Sequence, residues 1–127
     1  MTILDSSVWI ALFNESDSQY RKANELFDKI QPPLIIPEYV FIEVCTILTQ
    51  KVGKSTADLF ISIALENQNA QVLVIDEEFF YHLIEFYQSL DGKHLSFIDS
   101  VLLRLSRTYN VITFDEKLKR AIIEQKS

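Results

Sequence analysis

Apolar residues in this chain occur as short continuous runs separated by longer segments with helical spacing. The continuous runs predict strands at residues 2–4, 34–36, 72–75 and 111–113. The segments between them predict helices at residues 8–13, 16–30, 37–51, 55–67, 76–90 and 96–109, with a last helix from residue 115. This order predicts an α/β fold, a three-layer α/β/α domain around a mainly parallel sheet of about four strands with right-handed crossovers.

Proline and glycine positions support these boundaries. Pro32 and Pro33 break the second helix, and Pro37 suits the first position of the third because its missing N–H needs no partner there. Gly53 closes that helix, and Asp91 with Gly92 predicts a turn.

Length and composition narrow the class. At 127 residues, 48% hydrophobic and with two glycines, the chain predicts one helix-rich domain over residues 1–127 and excludes a disordered protein. Neither a membrane-spanning run nor a signal peptide is visible, so we expect a cytoplasmic protein. Cys45 is the only cysteine and is expected to be a buried small hydrophobe, while His82 and His94 lack metal-ligand spacing.

The formal charge of −6 at first argues against a nucleic-acid partner. Two divalent cations bound by four carboxylates would, however, cancel four of the negative charges. Several basic residues could contact phosphates, although solvent-facing roles are more common: Lys51, Lys54, Arg104, Arg107, Lys117, Lys119 and Arg120.

Four acids stand in unusual positions. Asp5 and Asp115 follow the first and fourth predicted strands, where ligands of open parallel sheets gather, although either alone could be a helix cap. Glu43 shares a helix face with Val40, Val44 and Ile47, where an ionised carboxylate needs compensation.

Asp99 lies at helical spacing from Leu95, Leu102 and Leu103, but Ser96 and Asp99 also form a Ser-x-x-Asp capping box. Capping and catalysis are both open for Asp99. If the four acids converge, their repulsion requires cations, and oxygen ligands select Mg²⁺ or Mn²⁺. Two such ions roughly 4 Å apart suit phosphodiester cleavage by a nuclease or phosphatase.

The chain resembles the PIN domains, and among them the VapC-like toxins of toxin–antitoxin pairs. The resemblance covers essentially the whole chain and rests on four motifs: LDSSVWIAL at residues 4–12, FIEV at 41–44, LSFIDS at 95–100 and VITFD at 111–115. It implies a metal-dependent endoribonuclease whose metal ligands are Asp5, Glu43, Asp99 and Asp115. It further implies that Ser7 positions water or a ligand, that Thr113 supports the site, and that Ser6 helps less directly.

The same resemblance implies an RNA substrate, a small antitoxin protein and a homodimer. The antitoxin would present an Arg or Lys to the acids and lay an apolar segment along exposed helices. The helix at residues 76–90 carries aromatic residues around most of its surface, and Trp9 and Phe13 could serve the core or a dimer contact.

Three alternatives remain at this point: a catalytically silent PIN-like module that binds a protein, a PIN nuclease of RNA processing without an antitoxin, and a phospho-acceptor receiver-like domain. Asp76 after the third strand could mimic the acceptor of a receiver, but no lysine follows the fourth strand directly.

Overall fold

Residues 1–91 and 94–127 are described in the computed structural model of the protein. The strands are β1 (Thr2–Leu4), β2 (Leu34–Pro37), β3 (Ala70–Leu73) and β4 (Asn110–Ile112). The helices are α1 (Ser6–Phe13), α2 (Tyr20–Phe27), α3 (Glu38–Lys51), α4 (Lys54–Glu66), α5 (Glu77–Gln88), α6 (Phe97–Leu105) and α7 (Glu116–Lys126). Helices therefore alternate with strands as the sequence predicts.

All strand pairs within the described ranges are parallel, and the sheet order is β3-β2-β1-β4. β1 is thus a central strand, with β4 on one side and β2 on the other. The register between β1 and β4 places Leu4 beside Ile112. The segments that follow these two residues consequently leave the sheet side by side, which brings together the loops that carry Asp5 and Asp115. The predicted α/β fold is confirmed.

The core is one continuous cluster of buried apolar side chains from the strands and the helices. Its largest buried side chain is Trp9, whose ring packs against Phe13, Phe27 and Phe60. Trp9 is therefore a core residue, one of the two roles the sequence left open. On α3 the buried stripe ends on Leu48, and Ile47 is only partly buried.

Several element boundaries differ from the predictions. Pro37 is the last residue of β2 and precedes α3 with extended backbone (ψ 140°), so it is not the first helical residue. α2 begins only at Tyr20 because turns occupy the preceding residues, where the Asp17 carboxylate accepts from the backbone N–H of Gln19 at 2.8 Å. β3 starts at Ala70, two residues earlier than predicted, in register with Leu34.

α6 is shorter than predicted and ends at Leu105, after which the Ser106 hydroxyl donates to the carbonyl of Leu103 and the chain turns into β4. Gly53 ends α3 as predicted, with a positive φ of 148° that favours glycine. Cys45 is partly exposed, not fully buried as expected. The predicted turn at Asp91 extends to Gly92, which lies outside the described residues.

Across residues 1–91 and 94–127, none of the helices is long and apolar enough to cross a membrane.

Candidate functional site

Asp5 lies at the centre of the candidate site, directly after β1. It is 6% exposed, and its carboxylate accepts hydrogen bonds from the backbone N–H of Ser6 at 2.7 Å and from the Thr113 hydroxyl at 2.7 Å. The Ser7 hydroxyl adds a longer bond of 3.3 Å, and the Ser6 hydroxyl one of 3.4 Å. These donors compensate a carboxylate that would otherwise be costly to bury.

Thr113 and Ser7 tie the loop after β4 to the beginning of α1. The Thr113 hydroxyl donates to Asp5 and accepts from the backbone N–H of Asp115 at 3.0 Å. The Ser7 hydroxyl accepts from the backbone N–H of Phe114 at 3.2 Å. Both hydroxyls therefore fix the position of Asp5 relative to the loop that carries Asp115.

Burial raises the pKa of Asp5 above its ordinary value. The hydrogen bonds from Thr113, Ser6 and Ser7 oppose this rise because they favour the ionised form, whereas the negative charge of Glu43 adds to it. The carboxylate of Asp5 consequently holds a proton to a higher pH than an exposed aspartate.

Glu43 lies on α3 beside the buried stripe and is half-buried. Its charge acts on Asp5, so the two carboxylates lie on the same side of the sheet edge. Within the described parts of the chain, no donor lies within hydrogen-bond distance of the Glu43 carboxylate. Hydrogen bonds from these residues therefore do not offset the cost of partly burying the charge of Glu43.

Asp99 occupies the third position of α6 and forms a capping box with Ser96. The Ser96 hydroxyl accepts from the Asp99 N–H at 3.1 Å, and the Asp99 carboxylate accepts from the Ser96 N–H at 3.4 Å. The capping interpretation is thus confirmed. Yet the pKa of Asp99 is raised, first by burial and then by the charges of Asp115 and Asp5, so the same carboxylate also belongs to the group of acids.

Asp115 caps α7, its carboxylate accepting from the backbone N–H groups of Lys117 at 2.9 Å and Leu118 at 3.3 Å. The negative charge of Asp115 also raises the pKa of Asp99, so Asp115 both caps α7 and lies near another of the acids.

The four predicted acids therefore share one edge of the sheet, close enough for their charges to interact. As they stand, no three His, Cys, Asp or Glu side chains of residues 1–91 and 94–127 are gathered closely enough to hold a metal ion. The donor set is nevertheless composed of hard oxygen atoms, the type that Mg²⁺ and Mn²⁺ prefer. The residues that would hold such a cation are Asp5, Glu43, Asp99 and Asp115.

Tyr39 is a residue of this site that the sequence analysis missed. Its hydroxyl oxygen is buried and has no hydrogen-bond partner among the residues described. Burial raises the pKa of Tyr39, and the charges of Asp5, Glu43 and Asp99 raise it further. The available signal was its spacing: Tyr39 precedes Glu43 by four residues and so shares its helix face.

Glu38, the first residue of α3, has a structural role instead. Its carboxylate accepts from the backbone N–H of Ile75 at 2.7 Å. This bond fixes the beginning of α3 against the segment that follows β3.

Two concave surfaces flank the acids. One is a cavity of about 380 Å³ whose lining mixes charged, polar and apolar side chains: Ser7, Ile10, Asp17, Gln19, Lys51, Phe114 and Asp115. The other is an apolar groove of about 340 Å³ between α3, α5 and α6, lined by Glu38, Tyr39, Ile42, Ile75, Phe80, Leu83, Phe97, Ile98 and Val101. Of the basic residues predicted to contact phosphates, Lys51 lines the first of these cavities, whereas Lys54 pairs with Asp58 at 2.6 Å. His82 and His94 are both exposed.

The sequence matches the PIN domain family over residues 2–123, and the protein belongs to that family. A solved structure with the same fold is VapC20 of Mycobacterium tuberculosis, described as a sarcin–ricin loop cleaving toxin. The two share 22% identity with a TM-score of 0.82, over 95% of each chain. No curated protein matches the sequence.

Membership of the PIN family excludes the receiver-like alternative. Asp76, which could have mimicked the acceptor of a receiver, instead caps α5 by accepting from the backbone N–H of Phe79.

Proposed function

We propose that this protein is a metal-dependent endoribonuclease and the toxin component of a toxin–antitoxin pair. The observation that carries the proposal is the buried carboxylate of Asp5, held by Thr113 and Ser7 at the sheet edge that it shares with Glu43, Asp99 and Asp115. A purely structural aspartate does not require three further acids around it, because like charges at close range destabilise the fold.

Asp5, Glu43, Asp99 and Asp115 would hold Mg²⁺ or Mn²⁺. Such a cation, when bound, supplies activation of the attacking water and neutralisation of charge at the phosphate. Thr113 and Ser7 favour the ionised form of Asp5 against the effect of burial and hold its carboxylate in place, because both hydroxyls donate to it. Asp99 and Asp115 are held at helix starts by their capping bonds, so the backbone of each helix places these two carboxylates at the sheet edge.

RNA would reach the acids along the cavity that Ser7, Lys51 and Asp115 line. Lys51 is exposed and has no ion-pair partner in the described ranges, so its charge is available to a phosphate. This assignment is compatible with the negative net charge of the chain, because the positive charge of Lys51 would attract phosphate locally.

The partners that we propose are a small antitoxin and a second copy of the chain. Both require exposed apolar surface, and the rim of the groove between α3, α5 and α6 provides it: Ile42 is 62% exposed, Phe80 46% and Ile98 38%. A soluble protein seldom leaves such a group of apolar side chains uncovered. The alternative of a silent PIN-like module uses this same surface but leaves the acids without a role.

The first prediction is that the purified protein cleaves RNA in Mn²⁺ or Mg²⁺ and that EDTA stops the reaction, because the carboxylates act only through a bound cation. Asp5→Asn should reduce cleavage to the level seen in EDTA. Fluorogenic single-stranded RNA gives the rate, and the Asp5→Asn variant purified in parallel controls for contaminating nucleases. Undiminished cleavage by that variant, or by wild type in EDTA, contradicts the proposal. Absence of cleavage by all forms supports the silent module.

A further inference from the structure

Tyr39 and Glu43 lie one helical turn apart on α3, and the first carries a hydrogen-bond donor while the second carries an acceptor. The Tyr39 hydroxyl is buried without an acceptor, and the half-buried Glu43 carboxylate is without a donor, among the residues that the structure describes. A buried hydroxyl with no partner is rare in folded proteins, because burial removes its hydrogen bonds to water and no protein group replaces them. An unsatisfied pair at i, i+4 therefore calls for an explanation beyond packing.

The other acids are less suited to accept from Tyr39. The Asp5 carboxylate already accepts from Ser6, Ser7 and Thr113. Asp99 is engaged with the backbone of Ser96. Glu43 is also favoured by direction, because side chains on a helix lean towards its N-terminus, which carries the carboxylate of residue 43 back over residue 39.

We propose that Tyr39 is a positioning residue, whose hydroxyl donates to the Glu43 carboxylate when the acids draw together around a divalent cation. With one oxygen of Glu43 engaged by Tyr39, its other oxygen would remain available to a cation shared with the neighbouring acids. This inference rests on the proposed function, and it adds to that function a group that orients Glu43, the acid for which residues 1–91 and 94–127 supply no hydrogen-bond donor. Groups that orient metal ligands in this way commonly control affinity.

The test is calorimetric titration of Mn²⁺ into the wild-type protein, Tyr39→Phe, Glu43→Gln and the double variant, with thermal unfolding of each metal-free form. We expect Tyr39→Phe to unfold at the same temperature as wild type or higher, because the hydroxyl it removes has no partner. We expect its affinity for Mn²⁺ to fall about tenfold or more. In the Glu43→Gln background the same change should have little additional effect, because a neutral amide is a poor ligand for Mn²⁺ and orienting it contributes little to affinity.

Tyr109→Phe is the matched control, since Tyr109 is partly buried but lies at the opposite end of the sheet, before β4. It should bind Mn²⁺ like wild type. Unchanged affinity in Tyr39→Phe, or a loss that adds fully to that of Glu43→Gln, overturns the role of Tyr39 while leaving the proposed function intact. A wild-type protein that binds no Mn²⁺ overturns both, so the two failures are distinguishable.

Discussion

Thr113 is the side chain on which the geometry of the acids depends most. Its hydroxyl serves as donor to Asp5 and acceptor for the backbone of Asp115, so one oxygen joins the end of β1 to the start of α7. Because Asp5 is buried, the loss of a donor is not replaced readily by water. Asp5 and its neighbours therefore behave as one hydrogen-bonded unit, and not as separate helix caps.

Thr113→Val should lower the free energy of unfolding by about 2 kcal/mol, because a hydrogen bond to a buried charged group is lost. It should also raise the pKa of Asp5 further, since the Thr113 bond is the largest of the effects that lower it. Protons and Mn²⁺ compete for the same carboxylate, so Mn²⁺ binding should be lost at a higher pH than in wild type. Denaturant unfolding and Mn²⁺ titration across a pH series measure the two effects.

Thr113→Ser is the control because it retains the hydroxyl, and it should recover most of both losses. If Thr113→Val binds Mn²⁺ with the wild-type pH dependence, the Thr113 hydroxyl does not tune Asp5. If serine fails to restore what valine removes, the methyl group and its packing account for the effect instead.

The sequence predicted these residues unequally. Asp5 and Asp115 were found because strand ends and helix starts have clear local patterns, whereas Ser7 and Thr113 were proposed only from the resemblance to PIN domains. Tyr39 was missed because an aromatic residue on a helix ordinarily belongs to the core, and its missing partner becomes visible only in three dimensions. For Asp99, two local roles were open, and the structure shows that the cap and the proximity to other acids coexist.

At the scale of elements, α3, α5 and α6 form a surface that their own chain does not cover. Phe80 and Phe97 approach with ring centroids 6.3 Å apart, and Phe97 also contacts Tyr87 at 5.0 Å. The apolar residues around most of α5 thus divide between the core, through Leu83, and this exposed surface. A second copy of the chain placed here would lie beside the acids of the first.

Phe80→Glu should therefore convert a homodimer into a monomer, because a charge would be buried in an apolar interface. Light scattering coupled to gel filtration gives the mass directly. Leu65→Glu is the matched control, since Leu65 lies on α4 and is 64% exposed. A wild-type protein that is already monomeric, or dissociation by the Leu65 change alone, would show that the groove is not the dimer contact.

Element boundaries were predicted less well than element order. The order follows from apolar periodicity, which survives small errors of position. The start of β3 depends on its register with β2, and the end of α6 depends on a side-chain bond of Ser106 to the backbone, neither of which the local pattern contains. Pro37 shows the same limit, because its fixed φ is compatible with both a strand end and a helix start.

At the scale of the whole molecule, the parallel sheet brings together residues that lie far apart in the chain. Asp5 and Thr113 are separated by 108 positions, yet they share a hydrogen bond because β1 and β4 are neighbours. The net charge of −6 is then concentrated in part at one edge, where it favours divalent cations over a bare phosphate. The central claim is that this edge is a metal site built on Asp5.

The most direct test of that claim is anomalous diffraction from crystals soaked in Mn²⁺. We predict a peak at the carboxylate of Asp5, with Glu43, Asp99 or Asp115 drawn in to share it, and no peak there in crystals of Asp5→Asn. A Mn²⁺ peak found elsewhere on the protein, or none at Asp5 under conditions in which RNA is cleaved, would contradict the assignment of these acids as the metal centre.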